Sequence, residues 1–259
     1  MAQRGIVFLM YHELELPGRP LCQSEPGYVR YVLAQESFRC QMNFLRQKGW
    51  RGHSVGETLD NPSANSVAIT FDDGCETDLV SAAPTLGEHG FHATFYATAD
   101  FVGRPGYLSA GQLRQLRDLA FEIGCHSMTH AYLNDLDASA LRREIIDARK
   151  RLEDLVGVKI EHFSCPGGRY DDRTIDLVRE AGYRSLATSR AHANSPSTSA
   201  YSLGRVAVLR NTDQITFQRI CAGETLWQMR LRESMRAAAK RAMGNRVYDR
   251  IRALVLGHR

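Results

Sequence analysis

Six cysteines are scattered through the 259 residues, and no two stand in a Cys-x-x-Cys spacing. That pattern leaves neither a zinc ribbon nor a disulfide framework as an expectation. No apolar run approaches the roughly 20 residues that a helix needs to span a bilayer. The apolar part of the N-terminus, Ile6 to Tyr11, is too short for a secretory leader, and His12-Glu13 ends it. A cytoplasmic location is therefore expected. The chain also lacks internal repeats, low-complexity tracts and any nucleic-acid reader motif, so no nucleic-acid partner is expected.

What remains is ordinary soluble-protein composition, 43% hydrophobic and 24% charged. A chain of this length buries roughly 70–75% of its unfolded surface, so neither a disulfide nor a metal is needed merely to hold a core. The net charge of +4 is unevenly placed. From Leu226 to Arg259 nine Lys or Arg face only Glu233 and Asp249, a surplus of +7, which leaves the body at −3. Apolar residues at Trp227, Leu231, Met235, Ala238, Ala242, Val247, Ile251 and Leu254 make 226–256 a basic amphipathic helical stretch, broken near Gly244. It reads either as a membrane-surface helix or as a helix packed on its own domain. The expected organisation is a globular body at 1–222 and a basic helical tail at 223–259.

Strand-like runs alternate with helical periodicity every 25–35 residues or so, the signature of βαβ units and a parallel sheet. Strands are expected at 5–11, 50–55, 66–71, 93–97, 121–125, 160–165, 183–187 and 203–209. Residues 14–35 hold Pro17, Gly18, Pro20, Pro26 and Gly27, which is loop composition. Ser37, Ser109, Ser139 and Asp213 are the expected helix N-caps. Seven or so such units suit a barrel, and in parallel α/β folds chemistry collects at the C-terminal strand ends.

Every unusual polar residue stands at such an end. Ser66-Val67-Ala68-Ile69-Thr70-Phe71 is a buried-strand sequence, and Asp72-Asp73-Gly74 follows at once. Two ions at a buried strand end are costly without a positive partner. The alternative is a turn in which one Asp caps the next helix. His126 and His130 follow the fifth strand, and on a helical turn their i, i+4 spacing puts both rings on one face. With one Asp they form a two-histidine, one-carboxylate donor set with open positions. Zn²⁺ suits it, and Co²⁺, Ni²⁺, Mn²⁺ or Fe²⁺ is compatible with the ligand type. The second Asp is then free to act as a base toward an acidified water, and Pro166-Gly167-Gly168 offers backbone close to a substrate. Cys75, Cys125 and Cys165 fall inside these motifs and read as small buried packing residues.

Thr70-Phe71-Asp72-Asp73-Gly74, then His126-x-x-x-His130, then Pro166-Gly167-Gly168-Arg169-Tyr170 resembles, in this order, the polysaccharide deacetylase pattern (NodB homology, carbohydrate esterase family 4). The resemblance runs over 5–210 and includes Ala83-Pro84-Thr85-Leu86 and His92-Ala93-Thr94-Phe95-Tyr96. It implies a distorted (β/α)₇ barrel and a metal-dependent de-N-acetylase acting on an N-acetylated amino sugar. By position it makes Asp72 the general base, makes Asp73, His126 and His130 the metal ligands, and gives the Gly167 N–H a share of the oxyanion. Two departures stand out. Ser164 occupies the place of the family's orienting Arg, for which Arg205 or Arg169 is the substitute. Gly167 replaces a Tyr, which is expected to loosen the oxyanion loop. Neither His192 nor His258 has the context of the family's late His, so His12 is the candidate acid, with a structural hydrogen-bonding role as the alternative. A cytoplasmic enzyme with a basic tail fits a lipid-linked sugar at the inner leaflet. A related barrel cleaving a non-sugar C–N bond and a catalytically impaired carbohydrate-binding homologue are the competing readings.

Overall fold

The computed structural model describes residues 5–231 and Ser234. Short runs rich in β-branched and aromatic residues form eight parallel strands of one curled sheet. These are β1 Val7–Tyr11, β2 Arg51–His53, β3 Ser66–Phe71 and β4 Thr94–Ala97. Then come β5 Glu122–Cys125, β6 His162–Ser164, β7 Ser185–Ala187 and β8 Val206–Ala207. Their order is β8-β1-β3-β4-β5-β6-β7, with β2 also paired to β3. One edge of β3 pairs with β1 from Val67 to Phe71. The other edge is shared, with β2 along Ser66–Ala68 and β4 at Thr70 and Phe71.

The sheet closes between its ends. Leu203 bridges Ala187, its N–H donating to Leu186 (3.0 Å) while its carbonyl accepts from Thr188 (2.8 Å), and the chain then continues into β8 beside β1. The result is a distorted (β/α)₇ barrel. The expected strand over 203–209 is therefore split into a bridge and the two-residue β8, because the segment pairs first with β7 and then with β1.

Side-chain alternation sorts the core into two clusters. Val7, Leu9, Tyr11, Val67, Ile69, Phe71 and Phe95 belong to the large cluster under the helices. Phe8, Ala68, Tyr96, Ala187 and Leu203 form the small cluster on the other face, inside the barrel. Period-2 geometry carries the inner set onward to Thr70 and Asp72 on β3 and to Met10 and His12 on β1. The small cluster is thus the floor beneath the strand ends.

Local departures have local causes. The helix Gln35–Gln47 begins two residues before Ser37, at an uncapped N-cap, Ala34. Its start is set by the pairing of Leu33–Ala34 with Leu14–Glu15, a short parallel ribbon inside the expected loop. The helix expected from Ser139 is capped by Asp137 instead, and runs as Ala138–Arg142, a π segment Arg143–Asp147, and Ala148–Val156. Ser109 and Asp213 cap their helices as expected. The chain is helical again from 226 to 231, with Leu226 buried and Trp227 exposed. The rest of the basic tail, apart from Ser234, lies outside the described residues, as does His258. No helix among the described residues is long and apolar enough to cross a membrane.

Candidate active site

The strand ends bring five of the predicted polar residues together: Asp72 and Asp73 after β3, His126 and His130 after β5, and Arg205 before β8. Asp72 continues the inward face of β3, and its N–H donates to the Tyr11 carbonyl (3.0 Å). The chain then turns sharply, with Asp73 at φ 79° and Gly74 at φ 76°. The left-handed region is costly for most residues but tolerable for Asp. A Cβ on Gly74 would stand 3.2 Å from the Ala97 Cα, so glycine is needed there for space as well. This turn aims the two adjacent carboxylates at different partners.

Asp73 Oδ1 lies 3.5 Å from His126 Nε2 and 3.3 Å from His130 Nε2. It is buried and makes no hydrogen bond. The His126 Nδ1 is 3.0 Å from the Ser164 carbonyl, which can only accept, so Nδ1 carries the hydrogen and Nε2 presents a lone pair toward Asp73. An orphaned carboxylate oxygen with ring nitrogens converging on it is the donor set of a divalent cation. The residues fit a metal. Burial pushes Asp73 upward, yet His130, His12 and His126 together hold it far below the ordinary carboxylate range. Burial lowers His126 to about 4, so this ring is neutral and ready to ligate. Burial also pushes His130 down, but Asp73 outweighs it and leaves His130 raised.

The histidines do not meet on a helical turn. Ser127 and His130 both sit at φ 66°, and the segment is a loop, yet the ring centroids are 5.0 Å apart. Glu144 imposes this shape. Its carboxylate accepts from the Met128 N–H (3.0 Å), the Thr129 N–H (2.8 Å) and the Thr129 hydroxyl (2.6 Å). Ser127 Oγ accepts from the His130 N–H (3.0 Å). Glu144 and Ile145 are adjacent and both buried, which the wider π segment accommodates. In the sequence Glu144 stands out only as part of the family resemblance around the motifs, with no role attached to it.

Arg205 is fully buried and all five of its N–H groups donate. Nη1 reaches Asp72 Oδ1 (2.7 Å) and Thr70 Oγ1 (3.2 Å). Nη2 reaches Asp72 Oδ2 (2.7 Å) and Ser164 Oγ (2.6 Å), and Nε reaches the Thr188 carbonyl (3.0 Å). Ser164 thus leaves room for, and hydrogen-bonds, an arginine arriving from the other side of the barrel. Arg169 instead lies over the Tyr132 ring, 3.8 Å from its centroid. For Asp72, burial raises the pKa, but Arg205 and then His126 reverse the balance and hold it below the ordinary value.

His12 is half-buried beside the Tyr31 ring at 4.7 Å, and its Nδ1 is buried without a hydrogen bond. Burial lowers its pKa, against Asp73 and Asp72, which raise it. Gly167 lies in a 3₁₀ turn, Pro166–Gly168, at φ 59°. The bonds closing the turn come from the Gly168 and Arg169 N–H groups, not from Gly167. Tyr132 fills the space of the missing side chain, and a Cβ on Gly167 would lie 2.7 Å from its Cε1. His192 packs its ring against Gly204 instead of facing the carboxylates. Cys75, Cys125 and Cys165 are buried free thiols.

A parallel barrel with this donor trio at its C-terminal strand ends defines a class, and comparison with known proteins agrees. Residues 60–186, just under half of the chain, match the family model for polysaccharide deacetylase, and this segment carries all three sequence motifs. It is 28% identical over 180 residues to the Bacillus subtilis protein YxkH, which covers 67% of this chain and 64% of that one. Against a peptidoglycan-N-acetylglucosamine deacetylase of Bacillus cereus, identity is 32% over 124 residues, or 48% of this chain and 56% of that one. Both alignments span less than two thirds of the relative. In fold, the chain is similar to the Streptococcus pyogenes deacetylase PplD, with TM-score 0.75 at 20% identity, over 85% of this chain and 99% of that one. For IcaB from Ammonifex degensii the TM-score is 0.70 at 24% identity, over 86% and 98%.

Proposed function

We propose that this chain is a metal-dependent de-N-acetylase that hydrolyses the acetamide of an N-acetylated amino sugar. The observation that carries the reading is the orphaned Asp73 oxygen facing His126 and His130, with a second carboxylate, Asp72, clamped beside it. A divalent metal there, Zn²⁺ by preference, supplies an acidified water and polarises the acyl oxygen. Asp72 takes the proton of the attacking water. Arg205 holds both its oxygens in place, and although the Ser164 hydroxyl also donates to the carboxylate (3.4 and 3.5 Å to its two oxygens), a lone pair stays open for that proton. The Gly167 N–H donates to the acyl oxygen as charge develops on it. His12 gives a proton to the departing amine. Tyr132 and Arg169 flank the mouth on the Gly167 side, where a sugar ring can stack.

The family match and the Bacillus cereus relative, whose name specifies N-acetylglucosamine in peptidoglycan, support this substrate class. A lipid-linked or oligosaccharide precursor of a surface polysaccharide, reached in the cytoplasm at the inner leaflet, fits the basic residues of 226–256. The deciding experiment is acetate release by metal-reconstituted protein over free, oligomeric and lipid-linked N-acetylated sugars, run beside Asp72→Asn. Release from at least one sugar, abolished in Asp72→Asn, is expected. No release from any sugar, with metal bound, overturns the assignment.

A further inference from the structure

A second cluster of ligand-type side chains lies beside the first and shares none of its residues. Glu13 follows His12 out of β1, Cys75 follows Gly74 out of β3, and Cys22 comes from the loop between them. A carboxylate oxygen of Glu13 and the two sulfurs lie within 4.8 Å of one another. Glu13 is 1% and Cys75 0% exposed, while Cys22 is half-buried and offers a way in. The cluster is held in shape from outside. Glu13 accepts from the Cys22 N–H (3.0 and 3.1 Å to its two oxygens) and from the Tyr28 hydroxyl (2.9 Å). Tyr28 Oη is 3.3 Å from Cys75 Sγ, and Cys22 Sγ is 3.1 Å from the Gly106 carbonyl.

Asp78 is a further buried acid beside this cluster. It is 0% exposed, and neither carboxylate oxygen has a hydrogen-bond partner. Its N–H donates to the Cys75 carbonyl (3.0 Å), and burial, with Asp73, Cys22 and Glu13 nearby, pushes its carboxyl well above the ordinary range. Such crowding of acids and thiols keeps Asp78 protonated, and a cation bound nearby would relieve it.

We propose that Glu13, Cys22 and Cys75 form a second divalent-metal site, distinct from the Asp73 trio. Two thiolates and one carboxylate select a soft or borderline ion, which makes Zn²⁺ the expected occupant, beside a neutral Asp78. Binding releases the two thiol protons to solvent. The ion ties the 14–35 loop to the turn that carries Asp73, so it stiffens the active-site rim without entering the reaction. This inference does not depend on the deacetylase assignment.

The test is a Co²⁺ titration of the metal-stripped, full-length protein under a phosphine reductant. Two equivalents are expected, one of them accompanied by a near-ultraviolet thiolate-to-Co²⁺ charge-transfer band. Cys22→Ser and Cys75→Ser should each abolish the band and leave one equivalent. His130→Ala should keep the band. Glu13→Gln, which retains both thiols, should weaken the band-forming equivalent by about tenfold or more. A reduced wild-type protein that saturates at one equivalent with no charge-transfer band overturns the proposal. So does a band that survives both Cys→Ser substitutions.

Discussion

Arg205 grips Asp72 through two parallel bonds of 2.7 Å, one to each carboxylate oxygen, across 133 residues of chain. Both partners are buried, and every guanidinium N–H is satisfied. Geometry of this kind is what makes a buried ion pair favourable to keep, and removing one partner leaves the other charge stranded. Arg205→Met should therefore cost about 3–5 kcal/mol of stability at neutral pH. The pH dependence has a sign. Asp72 is held below its ordinary value, so its contribution is present above the unfolded value of about 3.9 and is lost as pH falls through the folded value. Urea denaturation from pH 7 down into the acid range should show that loss in the wild type and not in Arg205→Met.

The adjacent aspartates should separate cleanly. Asp73→Asn is expected to lose the one equivalent of metal held by the Asp73 trio, measured by elemental analysis after dialysis. Asp72→Asn should retain the metal while turnover falls by about 10²–10⁴-fold. Two variants that behave alike would show that the division of labour between the carboxylates is wrong.

Glu144 touches no predicted ligand, yet it shapes the loop that holds both histidines. Glu144→Gln replaces one acceptor oxygen by a donor facing hydrogen-bond donors. Metal affinity should drop by about 10–100-fold, as for other groups that orient ligands. Isothermal titration with Zn²⁺ reads this directly, and an unchanged affinity removes Glu144 from the metal site's support.

His12→Ala should cut turnover by about 10²-fold or more while leaving metal content at the Asp73 trio intact. Its buried Nδ1 without a partner is the feature that motivates this expectation. Full turnover in His12→Ala would return His12 to a structural role.

Metal and protons compete at His130. Asp73 raises the His130 pKa, so in the metal-free protein this interaction stabilises fully below the ordinary histidine value and fades as pH rises through the raised one. Metal binding has the opposite slope, because it needs the neutral ring. Melting temperatures of stripped and Zn²⁺-loaded protein should therefore diverge as pH increases from 5 to 8, a window of about 1.5 units either side of the ordinary value near 6.5. Parallel curves would place His130 outside the metal site.

Much of this was legible in the chain itself. Val67, Ile69 and Phe71 alternate with Ala68 and Thr70, and period 2 alone sends Asp72 into the barrel behind them. The apolar runs named the strands, and polar residues standing just past them named the site. The helices begin before Ser37 and Ser139 because an N-cap preference is weaker than a neighbouring strand pairing or a better cap two residues earlier. Other features need distances between remote segments. Arg205 meets Asp72 only because the chain closes from Leu203 onto β7 and then onto β1. The 126–130 loop has its shape only because a π segment turns Glu144 inward beside Ile145. Tyr132 covers Gly167, and Cys22 reaches Cys75, by loop paths that no local pattern encodes. Local chemistry thus determined which groups stand at the strand ends, since propensity and alternation act over a few residues. The tertiary structure alone decided which of those groups touch, because a hydrogen bond or a ligand set is satisfied in space and not along the chain.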